Sequence, residues 1–181
     1  MRIYGNRPIK TLAGQLTRPT TARVREALFN IWQHKLSGCR WLDLCAGNGS
    51  MGAEALCRGA SLVIGIEQSG RAGEIIKENW RNLATSPQQF QVIRGDVLTK
   101  LATLAGKSFD LIYFDPPYES GLYLPVLTAI SQSNLLDSLG EIAVEHNPKS
   151  WQAINLEGLT ICRQKRYGNT TLTFYQKADV S

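Results

Sequence analysis

From residue 40 onward the chain alternates short apolar runs with segments of helical period. Residues 40–46, 61–67, 90–94, 109–115 and 140–146 are apolar runs bounded by Gly, Pro, Asp or Asn, the pattern of buried strands. Between them, residues 50–58, 71–83, 97–104 and 121–133 space their apolar positions for one helix face. The pattern then changes to two strands, 159–167 and 171–176, joined by a Gly168-Asn169 turn. Ahead of the first strand, Arg18-Pro19-Thr20-Thr21 can start a helix with Thr20 or Thr21 as its cap. That helix aligns Val24, Leu28 and Ile31, with Phe29 and Trp32 widening the apolar face and Arg23, Arg25 and Glu26 on the polar one. Residues 1–17, broken by Gly5, Pro8 and Gly14, read as a small hairpin or arm. Strands alternating with helices predict a doubly wound α/β fold. Its mostly parallel seven-stranded sheet ends in an antiparallel C-terminal hairpin. The expected organisation is one domain, 1–181, with the arm at 1–17, a helix over 18–36 and the core over 37–181.

Composition narrows the class. With 181 residues, 43% apolar and 19% charged, the chain has a globular composition, not a disordered or fibrous one. No run of 18 apolar residues occurs, and the first residues lack the apolar stretch of a secretory signal, so neither a membrane span nor export is expected. Cys39, Cys45, Cys57 and Cys162 form no Cys-x-x-Cys pair and have no nearby His, which predicts free thiols in a reducing cytosol and no metal site. The net charge of +5 is unevenly placed: +7 over residues 1–40, −4 over 41–150 and +2 over 151–181. A basic flank on an acidic body points to a polyanion partner for the flank.

The acids fall where ligands bind. In an open parallel sheet the binding crevice lies outside the carboxyl ends of the strands, and four predicted strands end in or beside an acid: Asp43, Glu67, Asp96 and Asp115. The first begins the run Asp43-Leu44-Cys45-Ala46-Gly47-Asn48-Gly49-Ser50-Met51-Gly52, whose glycines allow close backbone approach to a ligand. Glu67, at the next strand end, is placed to accept two hydrogen bonds from a ribose diol. Gly47, Gly49 and Gly52 together with Glu67 also fit a dinucleotide fingerprint. Against that reading, Asp43 would bring negative charge towards a pyrophosphate, whereas it suits a ligand bearing an ammonium and a sulfonium.

Asp115-Pro116-Pro117-Tyr118 carries more information. Two prolines cannot donate to a sheet, so the chain must leave it at once, with the Asp115 carboxylate and nearby carbonyls held as acceptors. Tyr118 adds a flat face on which a base can stack. Acceptors beside a stacking face suit an exocyclic amino group on a planar base: they favour a pyramidal, nucleophilic nitrogen for in-line methyl transfer.

Residues 43–52 with 115–118 resemble a class I S-adenosylmethionine-dependent methyltransferase acting on an amino nitrogen. The run Arg18-Pro19-Thr20-Thr21-Ala22-Arg23-Val24-Arg25-Glu26-Ala27-Leu28-Phe29-Asn30 narrows the resemblance to the RsmD family, bacterial methyltransferases of a guanine N2 in 16S ribosomal RNA. Residues 54–60 and 167–175 also resemble that family, so the likeness runs from about residue 2 to 176. Cys45 stands where Phe is common in the family, and Ala22 where a polar residue is usual. The resemblance implies that Asp43, Ala46, Gly47, Asn48, Gly49, Gly52, Glu67 and Asp96 hold S-adenosylmethionine, with Arg18 and Thr20 near its methionine end. It implies that Asp115, Pro116, Pro117 and Tyr118 hold the target guanine. Arg2, Arg7, Lys10, Arg23, Arg25, Arg163 and Arg166 are then the candidate contacts to ribosomal RNA, in an assembling or assembled small subunit, for a cytoplasmic protein expected to act as a monomer. Other readings are an adenine-N6 or cytosine-N4 methyltransferase and a non-catalytic assembly factor of the same fold. His146 and the four tryptophans, scattered through the sequence, are assigned no catalytic or stacking role.

Overall fold

The computed structural model describes residues 1–12 and 21–178. The chain opens with a small hairpin of β1 (Arg2–Ile3) and β2 (Arg7–Pro8), turned at Gly5 and Asn6, both at positive φ. Ile3 and Ile9 are buried, and the backbone of Lys10 exchanges two 2.9 Å hydrogen bonds with the Asn79 side chain, so this arm is docked on the core. Helix α1 (Ala22–Ile31) is capped by Thr21, whose hydroxyl accepts the Val24 N–H. The other candidate cap, Thr20, lies outside the described residues.

The core follows as β3 (Arg40–Leu44), α2 (Ser50–Cys57), β4 (Leu62–Glu67), α3 (Gly70–Leu83), β5 (Gln89–Arg94), α4 (Val97–Ala102), β6 (Phe109–Phe114), α5 (Tyr123–Ser131), β7 (Leu136–His146), β8 (Leu159–Tyr167) and β9 (Thr170–Lys177). Seven strands form one sheet in the order β5-β4-β3-β6-β7-β9-β8. β3 to β7 are mutually parallel, and β9 runs antiparallel between β7 and β8. Strands β3, β4 and β6 are apolar on both sides because both sheet faces are covered. Trp41, Val63 and Leu111 pack with residues of α1, α2 and α3 on one face. Leu42, Ile64 and Ile112 pack with residues of α4 and α5 on the other.

The tryptophans are mostly core. Trp41 stacks on Phe29 at 5.3 Å, Trp32 meets Trp41 and Phe174 edge-on at 5.6 Å, and the Trp32 indole donates to Glu141 at 2.8 Å. Strand β7 starts at Leu136, four residues ahead of the expected position, because Leu136 already pairs with Phe109 across a register shift. At that lower edge Asp110 accepts the Arg40 backbone N–H at 2.7 Å and, together with Asp137, binds its guanidinium. These two acids therefore tie strands together, at the edge opposite the predicted site. Among the described residues no helix is long and apolar enough to cross a membrane, and no cluster of His, Cys, Asp and Glu could hold a metal ion.

Candidate active site

The upper edge of the sheet gathers the acids that the sequence singles out. Cys45, the first residue past β3, takes positive φ (60°) and ends the strand two residues short of the predicted Ala46. Its thiol is pushed well up by burial first, then by Glu67, Asp115, Asp43 and Asp96. One side chain thus feels all four strand-end carboxylates, contributed by β3, β4, β5 and β6. In the sequence, only the place of Cys45 between Asp43 and Gly47 points to this central position.

Each acid is held differently. Asp43 is 1% exposed and accepts the Gly52 N–H at 3.1 Å; burial, and secondarily Glu67, raise its pKa to about 7. A cation beside it would therefore favour ionisation of this carboxyl. Glu67 accepts the Gly47 N–H at 2.7 Å through one oxygen and the Ser69 N–H at 2.8 Å through the other, joining the loop after β3 to the start of α3. Each oxygen keeps acceptor capacity beyond the one backbone bond. Asp96 caps α4 through the Thr99 N–H and hydroxyl, which hold its pKa below the usual carboxylate range.

The glycines divide in role. Gly47 (φ +57°) is turned to open space, where an added Cβ would find only the Cys45 carbonyl, at 3.9 Å. Gly49 and Gly52 instead admit α3: a Cβ on Gly49 would lie 2.8 Å from Ile76, and one on Gly52 would lie 2.3 Å from the Trp80 ring. The same indole donates to the Gly49 carbonyl at 2.8 Å. The expectation that Gly52 lets the backbone approach a ligand is therefore corrected: its missing side chain makes room for Trp80, and its N–H serves Asp43. Asn48 caps the turn through the Ser50 N–H at 3.0 Å, and Ala46 bonds the Ile66 carbonyl at 2.9 Å, so these two shape the loop.

Asp115 follows β6 directly, in register beside the end of β7. Pro116 is buried, Pro117 exposed and Tyr118 half-buried, so the segment turns up and out of the sheet as two prolines require. Behind it lies an aromatic wall that sequence reasoning missed. Tyr123 stacks on Trp151 at 4.4 Å, and His146 meets both edge-on at 6.3 and 5.0 Å. Burial first, then Asp115 and Tyr118, raise the Tyr123 pKa well above the ordinary phenol value. Beneath, Tyr113 donates to Glu145 at 2.5 Å, both side chains buried. The cleft thus offers carboxylates for cationic or N–H-bearing groups on one side and a rigid, ring-backed acceptor segment on the other. Arg18 and Thr20 lie outside the described residues.

The basic candidates separate too. Arg2, Arg7, Lys10 and Arg23 are exposed, although Lys10 pairs with Glu78 and Arg7 donates to the Cys57 sulfur at 3.4 Å. Arg25 is only 6% exposed: its Nε meets Glu54 at 2.7 Å and its Nη2 donates to the Arg2 carbonyl at 3.1 Å. Its assignment as an RNA contact is corrected, since a guanidinium committed to a buried partner cannot reach a phosphate. Arg163 lies over the Phe174 ring at 5.4 Å, whereas Arg166 sits opposite Thr171 at the upper end of β8.

Comparison with known proteins places this architecture. A family model described as Conserved hypothetical protein 95 matches residues 1–176. YlbH of Bacillus subtilis (strain 168) is 34% identical over 173 residues, covering 94% of this chain and 94% of the relative. Ribosomal RNA small subunit methyltransferase D of Haemophilus influenzae (strain ATCC 51907 / DSM 11121 / KW20 / Rd) is 30% identical over 175 residues, covering 96% and 90%. The solved structure of yhhF from Escherichia coli matches with a TM-score of 0.81 at 27% identity, covering 98% of this chain and 97% of that one. With the acceptor segment and the four strand-end acids on the same fold edge, the chain belongs to the Conserved hypothetical protein 95 family, the RsmD family.

Proposed function

We propose that this chain is an S-adenosylmethionine-dependent RNA methyltransferase that modifies the exocyclic N2 amino group of a guanine in 16S ribosomal RNA. The observation that carries the reading is the convergence of Asp43, Glu67, Asp96 and Asp115 around Cys45, with the Pro116-Pro117-Tyr118 turn rising beside them. The relatedness to ribosomal RNA small subunit methyltransferase D supplies the substrate class. The residues fit the cofactor: an acidic cleft suits its ammonium and sulfonium, and Gly47 leaves its mouth open. Asp43, Gly47, Glu67 and Asp96 would hold it, with Ala46, Asn48 and Gly49 shaping the loop and Arg18 and Thr20 at its methionine end. When bound, it supplies an electrophilic methyl group on a sulfonium.

The chain's own residues then position the acceptor. Tyr118 gives the guanine ring a face to stack on, and the Asp115 carboxylate with adjacent carbonyls accepts the two N–H bonds of the amino group. Those bonds align the nitrogen lone pair for attack and strengthen as positive charge develops on nitrogen, which is stabilisation specific to the transition state. The aromatic wall of Tyr123, Trp151 and His146 keeps the acceptor turn rigid. The exposed cations Arg2, Arg7, Lys10 and Arg23, together with Arg163 and Arg166, are the proposed contacts to RNA phosphates. The deciding experiment maps ribosomal RNA by mass spectrometry in cells lacking this gene. One guanine should lose one methyl group, restored by the purified protein with S-adenosylmethionine; full methylation in those cells would overturn the reading.

A further inference from the structure

Beyond the acceptor turn, the same edge of the sheet carries a second hollow, and its chemistry is opposite. Phe114 pairs with Val144, so Pro116 and His146, each two residues further on, lie at one level; His146 faces Thr171 and Thr171 faces Arg166. This row leads from the acceptor turn across β7, β9 and β8 to a pocket of about 400 Å³. Gln152, Gln164, Lys165 and Arg166 line it with His146 and Thr171, and no lining residue is acidic.

The pocket is built by specific contacts. His146 is 2% exposed, with Nε2 2.8 Å from the Thr173 hydroxyl and Nδ1 3.1 Å from the Trp151 carbonyl. Burial lowers its pKa, which favours the neutral ring. Its Nδ1–H can then donate to Trp151 while its Nε2 accepts from Thr173. The Gln164 amide donates to the same hydroxyl at 3.0 Å, fixing that side chain in the wall. Trp151 is pinned in turn by its stack on Tyr123, next to the acceptor turn. Arg166 uses only Nε, donating to the Gly168 carbonyl at 3.0 Å, which orients the guanidinium and leaves its outer N–H groups for a ligand. Arg166 forms no ion pair among the described residues, whereas Lys165, opposite Leu172 in the register, turns to the other face of the sheet.

We propose that this pocket binds the nucleotide adjoining the target guanine on a single-stranded stretch of RNA, with its phosphate on Arg166 and its base edge facing Gln152 and Gln164. The proposal rests on the methyltransferase reading and deepens it. A phosphate suits a guanidinium that is oriented through Nε and forms no ion pair among the described residues, and carboxamides present both donors and acceptors to a base edge. Strands spaced about 4.8 Å apart put β8 roughly 14 Å from β6, within reach of the next one or two nucleotides of an extended strand.

The test compares wild type with Arg166→Ala, and with Arg81→Ala, which removes the same charge from an exposed position at the opposite edge. Small subunits from cells lacking this gene serve as substrate. The pocket variant should raise KM for the subunit about tenfold and lower the slope of log affinity against log salt by about 0.7, the value for one phosphate contact on a single strand. Calorimetric affinity for S-adenosylhomocysteine should stay within twofold of wild type, and the opposite-edge variant should match wild type. Unchanged KM in the pocket variant, or equal losses in both variants, would overturn the pocket. A wild-type protein that binds S-adenosylhomocysteine but methylates no small-subunit RNA would instead overturn the functional reading, and the pocket with it.

Discussion

Replacing Arg25 with alanine separates a structural arginine from an RNA-binding one. Arg25 in α1 meets Glu54 in α2 with both side chains almost fully buried, 7% and 4% exposed, and it also anchors the Arg2 carbonyl. Removing one member of a buried pair destabilises by about 3–5 kcal/mol when the other charge is left alone. Here Glu54 keeps Arg58, at 2.9 Å and 16% exposed, so the expected loss is smaller, about 2–3 kcal/mol. For a chain of this size that lowers Tm by about 5–10 °C. The companion change Glu54→Ala completes a double-mutant cycle, in which the coupling should reach about 2 kcal/mol. Thermal unfolding gives the stabilities, and fluorescence anisotropy of labelled RNA against salt gives the electrostatic slope. Arg25→Ala should leave that slope unchanged, whereas Arg23→Ala, on the exposed side of the same helix, should leave Tm unchanged and lower the slope by about 0.7. An unchanged Tm with a lowered slope in Arg25→Ala would refute the argument.

Three further outcomes follow from the site. Asp43 has a folded pKa of about 7 against an ordinary 3.8, so between those values the native state holds a proton that the unfolded chain has lost. Its contribution therefore makes stability fall as pH rises from about 4 to 7 and then level off. Urea denaturation across that range should show the decline in wild type and less of it in Asp43→Asn; identical profiles would remove Asp43 as the cause. Gly52→Ala should destabilise by about 3 kcal/mol, because its Cβ would meet a fully buried indole at 2.3 Å, and Trp80→Phe in that background should recover part of the loss. Normal stability with lost cofactor affinity would return Gly52 to the binding site. Asp115→Ala should reduce methyl transfer roughly a hundredfold with S-adenosylhomocysteine affinity intact, as for loss of a transition-state hydrogen-bond partner; retained activity would rule out its proposed role.

What was legible in the sequence was whatever local periodicity encodes. The runs Trp41-Leu42 and Leu111-Ile112 face opposite sides of a covered sheet, so they appear as unbroken apolar stretches, and the acids follow where those stretches stop. The C-terminal hairpin was readable from its Gly168-Asn169 turn. Arg25 was misread because the pattern of α1 puts it beside Arg23 on a polar face, while its partner Glu54 lies 29 residues away. Gly52 was misread for the same reason: the spacing of three glycines is identical whether a ligand or an indole fills the space, and Trp80 belongs to another helix. The early start of β7 was hidden by Asp137, Ser138 and Gly140, which interrupt the apolar run and which the register shift carries without breaking the strand. Long-range partners leave no periodic trace in the sequence.

The distribution of charge along the upper edge imposes a way of entering on any nucleic acid. A phosphate approaching Asp115 would meet the carboxylates that surround Cys45, and repulsion in a partly desolvated cleft is strong. A neutral base carrying an amino group would meet no such penalty and would gain hydrogen bonds there, so the proposed site favours the base over its backbone. The backbone must then be held elsewhere, far enough away that the acids do not cancel the attraction. At physiological ionic strength charges are screened over about 8 Å, and three strand spacings of about 4.8 Å place Arg166 well beyond that distance from the β6 end. The antiparallel insertion of β9 is what creates this separation: it moves β8 one strand outward and turns its C-terminal cations to the same edge as Asp115. Without β9 between them, β8 would lie directly beside β7, one strand spacing closer to the acids. The strand order therefore fixes the spacing between the acids of the proposed base site and Arg166, the proposed contact to the chain attached to that base.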